Sequence, residues 1–97
     1  MHRFKYRARS LYCENVNVAR IAKKVGTPLY IYSKNTLLDH YRKIREALRE
    51  VSPLICFSVK SNSNLAVLRT LVNAGAGLDI VSGGELYRAK LVKADPR

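Results

Sequence analysis

Apolar residues along this chain change their spacing from segment to segment, and the spacing predicts strands and helices in turn. Residues 3–16 are predicted as irregular β structure, because apolar and basic side chains alternate over residues 4–9 and Glu14-Asn15 is a turn signal. From Val18 the apolar residues take helical spacing, and Gly26 and Pro28 end that helix. The first quarter of the chain therefore predicts a small β segment followed by one short helix.

The middle of the chain continues with a strand, a longer helix and a second strand. Residues 29–32 are β-prone, and Thr36 with Asp39 resembles a capping box that opens the helix. The run at 54–59 is apolar throughout, which predicts a fully buried parallel strand. The helix between these strands carries one apolar stripe, made by Leu37, Tyr41, Ile44, Leu48 and Val51.

The C-terminal part repeats the same order. A helix is predicted from about Asn64 to a stop at Gly75, a third strand at 78–81, a turn at 82–84 and a last helix from Leu86. Strict alternation of strands and helices implies parallel βα units and an α/β fold. An open sheet of about three strands leaves unpaired edges, so the chain is expected to be a piece of something larger.

Length, charge and cysteines change this picture little. The 97 residues are 47% hydrophobic, which is typical of a globular protein, although parallel barrels need roughly 200 residues or more. The 18 Lys+Arg against 7 Asp+Glu give a net charge of +11. The basic residues are dispersed, so the hypothesis of a nucleic-acid-binding module is supported by net charge alone. Cys13 is far from Cys56, which lies in the predicted buried run, so a reduced, cytoplasmic protein without a metal site is expected.

A lysine at the end of the predicted buried strand is the main candidate for chemistry. Lys60 closes the run at 54–59 and is followed by a polar turn at 61–64. Carboxyl ends of parallel strands are where α/β folds place reactive groups, and low-dielectric surroundings there favour the neutral amine. Lys60 is therefore a candidate nucleophile that forms an imine with a carbonyl cofactor. From the residues alone, a lysine that simply extends to solvent stays open as the alternative.

Two sequence blocks separated by a predicted helix resemble a known family. The block ICFSVKSN at 55–62 and the block GLDIVSGGEL at 77–86 are similar to signature segments of the fold-type III pyridoxal-phosphate-dependent decarboxylases. The segments GTPLYIYS at 26–33 and NLAVLRTL at 64–71 also fit the family's pattern. Either block alone is a weak match, whereas both in order, at the expected separation, make a specific one.

The resemblance implies a (β/α)8 barrel that binds pyridoxal 5′-phosphate, preceded by a lead-in β segment. Residues 1–28 would supply the lead-in segment and its short helix, and residues 29–97 the first part of the barrel, to about three βα units. Lys60 matches the lysine that bonds covalently to the cofactor and later handles protons. Asp79 and Glu85 are implied to lie beside the cofactor. The structural alternatives are a helix-capping or loop carboxylate for Asp79 and, for Glu85, a carboxylate that interacts favourably with the dipole of the next helix.

The resemblance implies that the protein is a pyridoxal-phosphate-dependent carboxy-lyase. The block VSGGEL at 81–86 is most similar to the branch that converts meso-diaminopimelate to L-lysine and CO2 in lysine biosynthesis. A small amino-acid substrate and a homodimeric full-length protein are then expected, without nucleic-acid or membrane partners. Groups that hold the cofactor's phosphate and ring nitrogen are implied to lie beyond Arg97, so the chain alone is expected to be inactive. A non-catalytic remnant, half of a split protein, and an ornithine or arginine decarboxylase are the alternatives.

Overall fold

The computed structural model describes residues 1–96 and divides the chain into two compact units, Met1–Thr36 and the residues from Leu37 onward. The domain boundary expected between residues 28 and 29 stays a prediction, because compact units and family domains are defined by different criteria. The strands and helices are, in order, β1 Phe4–Arg7, β2 Ser10–Cys13, β3 Val16–Asn17, α1 Val18–Val25, α2 Lys34–Ala47, β4 Cys56–Ser58, α3 Leu65–Asn73, β5 Gly77–Asp79 and α4 Gly83–Leu91.

The first unit is an antiparallel β meander followed by a helix. β1 pairs with β2 and β2 with β3, so the predicted β segment is confirmed. Ala8 and Arg9 form the two-residue turn between β1 and β2, and both have positive φ, at 46° and 67°. The Asn17 side chain caps α1 by accepting from the backbone N–H groups of Ala19 and Arg20, at 2.8 and 3.3 Å. The predicted short helix is confirmed.

The segment between α1 and α2 differs from the prediction. Residues 29–32 are not paired as a strand, because a strand needs a neighbour to complete its backbone hydrogen bonds and no described segment pairs with this one. The capping box at Thr36 is also wrong. α2 begins at Lys34, and Ser33 caps it through its hydroxyl, which accepts from the Thr36 N–H at 3.1 Å. The same hydroxyl donates to the Glu14 carboxylate at 2.8 Å, which ties this segment to the meander.

The second unit contains the parallel strand pair that positions the site. β4 and β5 pair in parallel, with Ser58 opposite Asp79, and α3 makes the crossover between them. The predicted βα alternation is therefore confirmed at these elements. Two buried clusters lie on the helix side of the sheet, and α3 contributes to both. The first comprises Tyr41, Val67, Leu71 and Ala76, and the second comprises Val59, Leu68 and Val92.

Burial of the apolar runs is less complete than predicted. Leu54 is 76% exposed and Cys56 is also exposed, so the run at 54–59 is not the fully buried strand that its composition predicts. The stripe on α2 is buried at Tyr41, but Ile44 is 51% exposed. Phe57 on one face of β4 packs against both buried clusters, whereas Cys56, the preceding residue on the other face, is exposed.

The end of the second unit also departs from the prediction. The third strand spans Gly77–Asp79 rather than 78–81. Gly83 and Gly84, predicted as part of a turn, are the first residues of α4. Ser82 caps this helix, so the chain needs no separate turn between the cap and the helix. In the part of the chain that the structure describes, no helix combines the length and apolar character needed to cross a bilayer.

Candidate functional site

Lys60 lies in a single 3₁₀ turn, Val59–Ser61, that directly follows β4. The turn is closed by a hydrogen bond from the Asn62 N–H to the Val59 carbonyl at 3.1 Å. Val59 is completely buried, whereas the Lys60 side chain is exposed. The lysine is thus presented at the carboxyl end of a parallel strand, as expected. Apolar surroundings were expected around the Lys60 amine, and the described residues do not provide them. The residues that pack against this turn, Leu68 and Val92, contact Val59 instead.

The polar segment after Lys60 is held by its own side chains. Asn62 accepts a hydrogen bond from the Asn64 N–H at 3.0 Å. Asn64 in turn caps α3 by accepting from the N–H groups of Ala66 and Val67, at 2.9 and 3.3 Å. Buried Val59 anchors one end of the turn and the cap of α3 anchors the other. Lys60 therefore stands on a backbone segment that is anchored at both ends, while its side chain is exposed.

Asp79 ends β5 and lies beside the end of β4. Its carboxylate oxygen Oδ2 accepts a hydrogen bond from the Ser58 hydroxyl at 3.2 Å. Ser58 is two residues before Lys60, so this pair sits at the same end of the sheet as the lysine. The sequence analysis missed Ser58. The signal that could have found it is the parallel register, because equivalent ends of neighbouring parallel strands bring their side chains together.

Glu85 lies in the first turn of α4 and is used by that helix. Its backbone N–H donates to the Ser82 hydroxyl at 3.1 Å, and its carboxylate accepts from the Val81 N–H at 2.6 Å. This reciprocal pattern is close to a capping box, and a carboxylate in the first turn also favours the helix dipole. The structure therefore brings Ser58 and Asp79 together and gives Glu85 a structural role at the helix start.

The two cysteines have opposite environments, and the prediction that Cys56 lies in a buried run is wrong. Cys13 is buried in β2, while Cys56 is exposed on β4. Burial raises the pKa of the Cys13 thiol above its ordinary value, and the neighbouring Glu14 carboxylate raises this pKa further. Residues 1–96 contain no group of three or more His, Cys, Asp or Glu side chains that could hold a metal ion.

The second unit matches a known family. Residues 34–97 match the family model described as pyridoxal-dependent decarboxylase, pyridoxal binding domain. The chain is 47% identical over 96 residues to the diaminopimelate decarboxylase of Pseudomonas aeruginosa, covering 99% of this chain and 23% of that protein. It is 43% identical over 95 residues to the diaminopimelate decarboxylase of Haemophilus influenzae, covering 98% of this chain and 23% of that protein.

Solved structures agree with these sequence matches. A crystal structure of a protein from Aquifex aeolicus superposes with a TM-score of 0.90 and 41% identity, over 97% of this chain and 23% of that one. A diaminopimelate decarboxylase from Methanocaldococcus jannaschii superposes with a TM-score of 0.88 and 33% identity, over 95% of this chain and 23% of that one. The predicted α/β fold, the N-terminal part of such a decarboxylase, is confirmed. The chain spans about a quarter of the length of the relatives it matches.

Proposed function

The chain belongs to the pyridoxal-dependent decarboxylases, and from this premise we propose that Lys60 is the lysine that holds pyridoxal phosphate in an amino-acid decarboxylase. One observation carries the proposal. The block that resembles the family's lysine segment places Lys60 on an exposed turn at the carboxyl end of β4, beside the Ser58–Asp79 pair. A primary amine on an anchored turn, with a carboxylate at the neighbouring strand end, fits a cofactor whose aldehyde is held covalently by a lysine.

The described residues fit the covalent part of such a site, with three roles. The Lys60 Nζ would hold the cofactor covalently and could carry a proton during the reaction. Asp79 would place a carboxylate at the adjacent strand end, on the side of the sheet where Lys60 lies. Glu85, expected beside the cofactor from the resemblance, acts mainly by holding the start of α4 in place. When bound, pyridoxal phosphate accepts the electron pair left on the substrate carbon as CO2 departs.

The proposed substrate is meso-diaminopimelate, and the proposed products are L-lysine and CO2. Support comes from the relatives, which carry the name diaminopimelate decarboxylase at 43–49% identity in bacteria such as Pseudomonas and Haemophilus. One relative, from Methanocaldococcus jannaschii, was solved in complex with L-lysine. For the whole protein we propose a cytoplasmic homodimer that acts on a small-molecule amino-acid substrate.

A second candidate is a non-catalytic chain or one half of a split enzyme. It is favoured by one observation, that the Lys60 side chain is exposed in the part of the chain that the structure describes. A lysine without partners that orient the cofactor gives little catalytic advantage. We expect the 97-residue chain alone to release no CO2 from meso-diaminopimelate.

A hybrid protein separates these two candidates. In it, this chain replaces the aligned segment of the Pseudomonas aeruginosa relative. We expect the hybrid protein to release CO2 from meso-diaminopimelate in preference to ornithine or arginine. Lys60→Ala should lower kcat by at least ~100-fold, which is the lower end of the rate contribution of a positioned proton-transfer group. Lys90→Ala, which removes an exposed lysine of α4, is the matched control and should leave kcat unchanged.

Two results would contradict the proposed function. One is a hybrid protein that stays active after Lys60→Ala. The other is a folded hybrid protein, with the circular dichroism of the parent enzyme, that binds the cofactor but decarboxylates no amino acid. The second result would favour the non-catalytic candidate.

A further inference from the structure

Arg88 of α4 contacts the segment that follows Lys60. Its guanidinium nitrogen Nη1 donates a hydrogen bond to the Ser63 backbone carbonyl at 3.0 Å, although the two residues are 25 positions apart. We propose that Arg88 is a positioning residue, which fixes the backbone that carries Lys60 by holding residues 61–64 against α4. The inference rests on the proposed function in one respect, since it takes Lys60 as the cofactor lysine.

α4 contacts the chain on both sides of Lys60. Before the lysine, Val59 packs with Val92 in a buried cluster. After the lysine, Ser63 accepts the hydrogen bond from Arg88. The Val92 N–H bonds to the Arg88 carbonyl at 3.2 Å, so these two residues continue the helical spacing and lie one turn apart on the same side of α4. The chain is therefore held at two points, and Lys60 lies between them.

The hydrogen bonds within the segment fix its local shape but do not join it to a neighbouring helix. The Asn62 N–H donates to the Val59 carbonyl at 3.1 Å, and the Asn64 N–H donates to the Asn62 side chain at 3.0 Å. Ser63 is polar and exposed, so burial of apolar surface does not hold it in place. The bond from Arg88 supplies that tie, and a charged donor makes a stronger hydrogen bond than a neutral one.

The place of this backbone matters for the proposed chemistry because the Lys60 amine moves with it. A misplacement of a reacting group by about 1 Å can lower a rate by ~100-fold, even when the change that causes it is remote. Val59 fixes the residue before the lysine by burial. Arg88 fixes the third residue after it, which limits how far the 3₁₀ turn between them can shift.

The first measurement follows the backbone itself and needs neither cofactor nor activity. Hydrogen–deuterium exchange of the 97-residue chain is measured by mass spectrometry on peptides that cover residues 61–64. The set comprises the wild type, Arg88→Met, Arg88→Lys and Arg69→Met. Methionine keeps an unbranched stem and a high helix propensity but removes the donor. Arg69 is the matched control, because its Nη2 donates to the Leu91 carbonyl at 3.4 Å and so joins α3 to α4 rather than to residues 61–64.

Arg88→Met should speed exchange at residues 61–64 by about twofold to tenfold, the effect of losing one hydrogen bond. Arg88→Lys keeps a cationic donor on a long stem and should stay within about twofold of the wild type. Arg69→Met should also stay within about twofold, although it removes the same kind of side chain from a bond to a backbone carbonyl. Circular dichroism checks that each variant keeps its helices.

The second measurement is the kinetics of the hybrid protein with meso-diaminopimelate. Arg88→Met should lower kcat by about tenfold, which is less than the cost of a full 1 Å misplacement. The KM should stay within about twofold, because Arg88 acts on the placing of Lys60 rather than on substrate binding. Arg88→Lys should recover most of the lost kcat, and Arg69→Met should leave kcat unchanged.

The inference and the proposed function fail by different results. Unchanged exchange at residues 61–64 in Arg88→Met, or equally faster exchange in Arg69→Met, would refute the role of Arg88. Faster exchange with an unchanged kcat would show that Arg88 holds the segment without positioning the lysine, and would also refute the inference. The proposed function fails instead if the hybrid protein stays active after Lys60→Ala. If Arg88→Met does not fold, Arg88→Gln replaces it, since glutamine has a similar helix propensity and a shorter side chain.

Discussion

At the scale of single residues, the turn after β4 places opposite environments side by side. Val59 is completely buried against Leu68 and Val92, and Lys60, the next residue, is exposed. The apolar neighbour fixes the backbone, so the polar residue can be presented without being buried itself. The buried Val59 therefore anchors the backbone while the Lys60 amine stays accessible from solvent.

The two free cysteines give a residue-scale prediction. Alkylation by iodoacetamide, at a pH below the ordinary thiol pKa of 9.0, should modify Cys56 well before Cys13. Cys13 is buried and its pKa is raised, so less of it is present as the reactive thiolate. Peptide mapping over time measures the two rates, and in denaturant the rates should become similar. Equal rates in the folded chain would contradict the burial of Cys13.

The same raised pKa sets a pH dependence of stability. The folded chain keeps the Cys13 proton to a higher pH than the unfolded chain does. The contribution of Cys13 to the free energy of unfolding is therefore complete below pH 9.0 and is lost as the pH rises through the folded-state pKa. Urea titrations of the wild type and Cys13→Ala, run on both sides of this pH, measure the difference. A Cys13 contribution that grows with rising pH would contradict the sign.

At the scale of elements, two glycines of the second unit should respond in opposite ways to alanine. Gly75 follows α3 with φ of 105°, and a Cβ there would lie 3.0 Å from an Arg45 side-chain nitrogen. Gly75→Ala should lower the free energy of unfolding by about 1–2 kcal/mol, the cost of a left-handed backbone for an L-residue. Gly83 lies in the first turn of α4 with open space around it, so Gly83→Ala should raise stability by about 0.5–1 kcal/mol.

Urea denaturation followed by circular dichroism measures both glycine variants. The opposite signs form an internal control, because a general effect of losing a glycine would move both midpoints in the same direction. A Gly75→Ala variant as stable as the wild type would show that the end of α3 does not need the left-handed residue.

Helices were easier to predict from the sequence than strands. The helices α1, α3 and α4 were predicted because the apolar periodicity and the stops at Gly26 and Gly75 are local signals. The strand at 29–32 was wrong because pairing depends on a partner distant in sequence. The start of α4 was predicted too late, because Gly83 and Gly84 indicate a turn when taken alone. The Ser82–Glu85 spacing typical of a capping box held the missing signal.

The candidate site could be predicted only in part, for the same physical reason. Lys60 and Asp79 were found because strand ends and family segments are visible along the chain. The bond from Ser58 to Asp79 depends on the register of two strands that lie about 20 residues apart, which no local pattern specifies. The exposure of Leu54 and Cys56 was missed because burial depends on what covers a strand's second face rather than on its composition.

At the scale of the whole molecule, large apolar side chains remain in contact with water. Leu54, Val51 and Val81 are 76%, 73% and 72% exposed, whereas Leu68 and Val59 are the largest side chains that are fully buried. Little apolar area is then removed from water for each residue that must be ordered. The second unit contains a parallel strand pair, but few fully buried apolar side chains stabilise it.

This surface predicts weak cooperativity for the isolated 97-residue chain. Heating or denaturant should give a broad transition or aggregation, because exposed apolar side chains stabilise contacts between molecules as readily as the fold. Differential scanning calorimetry and circular dichroism measure the width of the transition. The hybrid protein, in which the rest of the relative accompanies the chain, should unfold more sharply. A sharp two-state melt of the chain alone would contradict this expectation.

The assignment of Lys60 is tested most directly by mapping where pyridoxal phosphate attaches. The chain has seven other lysines, at positions 5, 23, 24, 34, 43, 90 and 93, and these provide the reference within the same molecule. After borohydride trapping, label should be enriched at Lys60 over all seven, and the enrichment should disappear in denaturant. Label spread evenly over the eight lysines, or an enrichment that persists in the unfolded chain, would contradict the claim that the fold of this chain singles out Lys60.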